Sequence, residues 1–285
     1  MADVTVDTSG RTRRIETYGS FRGIRGLAAA ESARWFPWRA LTFIALGLAV
    51  LVGNYAAWLS QPDRALGILI GLSFTLWIVL LVLATVAATQ SIVAGEITQG
   101  TAAWVVAKPV GRTAFVVSKF VALIPVVVIA MVGIPGVFAR FVFAAAEGRG
   151  RNEFDGDEVM RLVNEPSARS EYITVPDWGD YLGTLGVLMV IILVIAAAMV
   201  LLGCVLRHAT AILAVGLMVP IAMVVLALTP IDHQIVSLTP AWLMESFIDG
   251  AGDDPAPVLA PVGVGLLWIA GLLGVASWWF NRREL

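Results

Sequence analysis

Residues Gln90–Lys119 read QSIVAGEITQGTAAWVVAKPVGRTAFVVSK. Upstream, no charged residue occurs from Ala65 to Gly95, a run longer than the roughly 20 apolar residues that cross a bilayer. A helix over that run is long enough to project past the membrane face. Glu96 then brings the first charge. Gly100 weakens a helix, because without a Cβ it gives up more backbone freedom on ordering. Thr101 can cap a new helix by accepting hydrogen bonds from free backbone N–H groups. Ala102–Ala107 is a short apolar run around Trp104. Pro109 cannot continue it, Gly111 turns the chain, and Lys119 opens the next apolar run. The stretch predicts one membrane helix, a stub of about two turns held off the membrane, and a second membrane helix. The stub offers a partner Trp104 and Val105.

Composition fixes the class. The chain has 285 residues, 59% hydrophobic and 14% charged, with a mean hydropathy of +0.85. Soluble domains carry about half apolar and about a quarter charged residues, so the reading is an all-α polytopic membrane protein. The one cysteine, Cys204, leaves no internal disulfide and no multi-cysteine metal site. In its apolar run it reads as a small packing residue.

Residues 1–19 form a polar tail without the apolar centre of a signal peptide. Over 20–39, Phe21, Ile24, Leu27, Ala28, Trp35 and Trp38 recur at spacings near three and four. That predicts a helix lying in the membrane surface, with its aromatics at headgroup level. Arg22 and Arg34 lie off the apolar arc, whereas Glu31 falls inside it and interrupts it. The remainder, 40–285, holds six uncharged runs, each long enough to cross. The spans are expected over about 40–61, 65–89, 116–139, 181–206, 209–229 and 257–280.

Between the fourth and fifth spans stands only Arg207-His208, a tight hairpin, so 90–115 is the single sizeable loop on its side. The opposite side has two longer connections, 140–180 and 230–256. The first is polar, with Val159–Val163 able to form a short helix but no domain core. The second has no Lys or Arg, yet carries Leu238, Trp242, Leu243 and Phe247. Pro240 suits the first turn of a helix, which predicts a half-inserted or surface helix with Glu245 and Asp249 on its other face.

With the N-terminus inside, the inner segments hold 13 of the 19 Lys and Arg residues. The positive-inside bias therefore assigns both termini to the cytoplasm. The expectation is a multi-pass protein of the inner or plasma membrane whose 90–115 loop is cytoplasmic.

The chain lacks G-x-x-x-x-G-K-[ST] and H-E-x-x-H. Its two histidines, His208 and His233, fall on opposite sides. No catalytic constellation emerges, so an enzyme is not expected, nor a metal site, nor a nucleic-acid partner. The spans hold no Asp, Glu, Arg or His at mid-depth, which argues against an ion-coupled carrier; Pro125, Pro135 and Pro220 offer kinks only. Lys119 is expected to snorkel to the cytoplasmic interface. Gly67 and Gly71 form a small-x-x-x-small pair that reads as helix packing within the subunit.

The order Glu, three residues, Gly-Thr, an apolar stub, Pro-x-Gly-Arg and then Lys resembles the first cytoplasmic loop of ABC type-2 permeases, the membrane subunits of ATP-driven exporters. Glu96, Gly100, Thr101, Pro109 and Arg112 fall on that pattern. The resemblance implies that 90–115 is a coupling loop whose stub docks in a groove of a separate cytoplasmic ABC ATPase. ATP and magnesium would be bound there, with no cofactor on this chain. The implied docking and coupling residues are Glu96, Gly100, Thr101, Trp104, Lys108, Pro109 and Arg112. Trp104 would be the apolar anchor. Glu96 would hold the second helix against the elbow or loop, through Arg112 or an N-terminal arginine. Residues 20–39 would be the elbow helix, and the 230–256 connection would be re-entrant.

A second permease copy or a paralogue would complete the membrane assembly, which would move an amphipathic or lipid-like cargo outward through walls without fixed charge. The sequence departs from the pattern at Ala103–Ala107, where leucines are more usual, and a weaker apolar stub docks less strongly. Two alternatives stay open: a membrane scaffold or assembly factor for an extracytoplasmic protein, and an ion-coupled secondary carrier.

Overall fold

Among the described residues of the structure, a computed structural model, six helices are long and apolar enough to cross a membrane. Residues 21, 23–35, 38–60, 66–90, 92–98, 111–153, 177–206, 208–229, 236–249 and 259–282 are described, and no strand occurs among them. In chain order the helices are α1 (Ile24–Trp35), α2 (Trp38–Leu59), α3 (Leu66–Thr89), α4 (Ala94–Thr98) and α5 (Arg112–Pro125). The last runs through a π-helical segment, Val126–Gly133, into α6 (Ile134–Glu153). Then come α7 (Trp178–Val205), α8 (Ala209–Leu228), α9 (Ala241–Asp249) and α10 (Leu259–Arg282).

Apolar runs of this length become helices because a bilayer offers no water to backbone N–H and C=O groups, and a helix satisfies them internally. The 22 residues of α2 reach about 33 Å at the usual helical rise, enough for a hydrocarbon layer about 30 Å thick. At the centre stands α7, buried at every position from Val187 through Val200 except Met189. It packs against α3, α5, the π segment, α8, α9 and α10.

The outer helices bury one stripe each. In α3, Trp77, Leu81 and Val86 are buried, while Leu72, Leu76, Val79 and Leu83 are exposed. In α8, Ile212, Gly216, Pro220 and Met223 are buried, while Val215, Met218, Ile221 and Val225 are exposed. The exposed stripes of both helices are apolar, as suits a helix with protein on one side and lipid on the other.

Several details differ from the sequence reading. The helix over the apolar run from Ala65 to Gly95 is broken: it ends at Thr89, Ile92 N–H turns back to Thr89 O at 3.1 Å, and the chain restarts as α4. The Thr85 and Thr89 hydroxyls donate to Leu81 O and Thr85 O at 2.7 and 2.6 Å, a local competition that weakens a helix there. Burial of Ile92, Val93 and Ala94 offsets the lost helical turn. The third span continues past Arg140 to Glu153. Its extension is carried by Phe143 and Ala146, which bury with Leu51 of α2 while Tyr55 and Trp58 pack alongside. Gly71 has no neighbour within 4 Å of where a Cβ would stand, so it does not serve close helix packing within this chain. Val159–Val163 and Arg207 lie outside the described residues.

α9 starts one residue after Pro240. Ala241 N–H reaches Thr239 Oγ1 at 3.3 Å, so Thr239 caps the first turn. Leu243, Met244 and Phe247 are buried against α7, α8 and α10. Trp268 of α10 donates its indole N–H to Leu238 O at 2.8 Å. Gly265 sits where a Cβ would come within 2.6 Å of both Leu243 Cδ1 and Val190 Cγ1, so its lack of a side chain lets α9 reach between α7 and α10.

Candidate functional site

The two ends of the 90–115 loop are held at one end of the helix bundle. The outgoing end is α4, with Glu96 in its first turn. The returning end is Gly111, extended at φ −67° and ψ 137°, followed by α5. Phe115 N–H bonds to Gly111 O at 3.0 Å and starts that helix.

Three segments converge on one cation. Lys119 of α5 places Nζ 2.5 Å from Glu96 Oε1 and 2.5 Å from Glu31 Oε1. The lysine side chain is 3% exposed, and Glu31 and Glu96 are 16% and 15% exposed. Two charge-assisted hydrogen bonds to one ammonium therefore join α1, α4 and α5. The ring of Phe115 lies 5.2 Å from the same Nζ, within reach of a cation–π attraction. A charge this deep is tolerated because it is paired and hydrogen-bonded.

This arrangement corrects one expectation. Lys119 does not snorkel out to the interface; carboxylates on either side satisfy it inside. Glu96, expected to meet Arg112 or an N-terminal arginine, pairs with Lys119. Arg112 Nη1 donates to the backbone carbonyl of Asn281 at 3.0 Å. Asn281 in turn reaches Thr113 Oγ1 with Nδ2 at 3.4 Å, and Phe280 stacks on Phe115 at 5.2 Å with the rings 16° apart. The end of α10 is thus clasped to the start of α5.

α1 lies along α5. Its partly buried positions are Ile24, Leu27, Ala28, Glu31 and Ser32, spaced as one helical stripe. Glu31, which interrupts the apolar arc in the sequence, is the residue of that arc that meets Lys119. Phe21 and Trp38 are exposed at either end of this segment.

Of the residues implied by the loop pattern, Glu96 and Arg112 belong to this junction. Gly100, Thr101, Trp104, Lys108 and Pro109 lie outside the described residues. The sequence reading missed Glu31, Asn281 and the pairing role of Lys119. A usable signal was present: a carboxylate in the apolar arc of one helix and an ammonium at the apolar start of another are complementary faults.

The family model described as ABC-2 family transporter protein matches residues 39–285. Comparison with curated proteins gives no match.

Proposed function

Because the chain belongs to the ABC-2 transporter family, and is by that membership a membrane-spanning permease component of an ABC transporter, we propose that it is the permease half of an ATP-driven exporter whose motor is a separate cytoplasmic ATPase. The stub around Trp104 docks in a groove of that ATPase. Glu96, Gly100, Thr101, Lys108, Pro109 and Arg112 shape and anchor the loop that carries it. ATP and magnesium belong to the partner. A second copy or a paralogue completes the membrane assembly. The cargo moves outward and is amphipathic or lipid-like, as suits spans without charge at mid-depth.

The observation that carries this reading is the double pairing of Lys119. A loop free at both ends would absorb a push by bending. Here the outgoing end is tied through Glu96 to α5, and α5 is tied through the same lysine to α1 and through Arg112 to α10. A displacement of the loop is therefore delivered to α1, α5 and the end of α10 together.

The test is co-purification in mild detergent of wild type, Trp104→Ala and Gly100→Pro, with ATP hydrolysis assayed in each eluate. Wild type retains an ATPase, and both variants release it at least about tenfold more readily, since buried aromatic anchors dominate such contacts. Recovery of no ATPase with wild type, together with an extracytoplasmic protein lost on trimming 140–180, would replace transport by the scaffold reading.

A further inference from the structure

The third span is not one helix. Between α5, which belongs to the junction, and α6 lies the eight-residue π-helix Val126–Gly133. Such helices are rare and mostly single-turn bulges, so eight residues in mid-span need a cause. Two prolines supply one. Pro135 has no N–H to give the carbonyl four residues back, and its ring would press on that carbonyl of Met131 in an α-helix. A wider turn ahead of it moves the carbonyl aside. Pro125 closes the other end. The widened ladder is visible where Ile134 N–H bonds to Ile129 O, five residues back.

Gly133 permits this geometry. A Cβ there would stand 2.4 Å from the backbone oxygen of Val128, closer than any side chain can come. Backbone rather than a flexible side-chain tip is the obstacle, so any other residue forces the turn open. The segment brings no polar side chain of its own to the irregular ladder, since every residue from Val126 to Met131 is apolar. Beside the segment is a small apolar hollow lined in part by Phe43, Thr85, Thr89, Val126, Val127 and Met131.

We propose that Val126–Gly133 is a register switch in the third span, with Gly133 as its positioning residue: the segment is π-helical at rest and passes to α-helix when the junction at Lys119 is displaced. The change re-registers α5 against α6 by one residue, about 100° of rotation and about 1.5 Å of travel. A push on the loop thereby becomes a rotation of the inner half of the span against α7, while α6 keeps its packing on Leu51. The inference rests on the permease reading above.

The experiment uses the full chain with its co-purified ATPase in vesicles of phosphatidylethanolamine and phosphatidylglycerol. Phe43→Cys and Met131→Cys are introduced together in a Cys204→Ala background and bridged with a short bis-methanethiosulfonate, with and without ATP, magnesium and vanadate. In the wild-type span the bridging yield changes at least about threefold on nucleotide trapping. In Gly133→Ala, and independently in Pro135→Ala, the change falls below about 1.5-fold, although both retain the ATPase and trap nucleotide. Two different substitutions agreeing makes a local packing defect an insufficient account. An equal yield change in all three proteins, or none in the wild type with nucleotide trapped, overturns the switch and leaves the permease reading standing. Failure to recover any ATPase overturns that reading and the switch with it.

Discussion

Lys119 carries one positive charge between two carboxylates that come from positions 88 and 23 residues away. Its removal differs in kind from removal of either partner. Lys119→Met removes the ammonium between Glu31 and Glu96, and breaking a buried pair in this way costs about 3–5 kcal/mol. Glu31→Gln leaves the Glu96 pair in place and costs less. Lys119→Met in detergent is expected to melt roughly 10 °C below wild type, with Lys119→Arg and Glu31→Gln in between. Melting of Lys119→Met together with wild type would mean that the triad is a surface feature of no structural weight. The lysine was conspicuous in the sequence as a charge at the edge of an apolar run. Its partners were not, because the approach of α1 to α5 is a tertiary fact that no local spacing encodes.

At the scale of elements, the legible parts of the chain were those where polarity changes along it. The six spans follow from charge-free length alone, and six helices among the described residues are long and apolar enough to cross a membrane. Which face of a span is buried was not legible, since the exposed faces of α3 and α8 are apolar too and lipid asks for no contrast. The π segment was hidden for a related reason. Pro125 and Pro135 announce a kink, yet the clash that makes Gly133 necessary exists only once the turn has widened. The approach of α9 shows the same dependence on context. Gly265 and Gly263 look alike in the sequence, but a Cβ at Gly265 meets Leu243 and Val190 at 2.6 Å whereas one at Gly263 meets nothing within 4 Å. Gly265→Val is therefore expected to cost about 1–3 kcal/mol by overpacking and to loosen α9, while Gly263→Val is near neutral. Equal melting temperatures for the two variants would show that α9 yields without cost and is not wedged between α7 and α10.

For the whole molecule, the decisive asymmetry is in charge rather than in packing. A bundle whose outer stripes are uniformly apolar fits a bilayer equally well either way up, so its sidedness must come from the connections. The segments on the same side as the 90–115 loop hold most of the basic residues, and basic residues are the ones that resist translocation. The 140–180 and 230–256 connections hold most of the acids. Thr5→Cys, Ser167→Cys and Glu284→Cys, each placed singly in a Cys204→Ala background, report on this directly. A membrane-impermeant maleimide applied to intact cells should label the cysteine at 167 at least about tenfold more than those at 5 and 284, and permeabilisation should equalise the three. The reverse pattern would put the Lys119 junction and the Trp104 stub on the side of the membrane that holds no ATP, and no docking to a cytoplasmic ATPase would then be open to them.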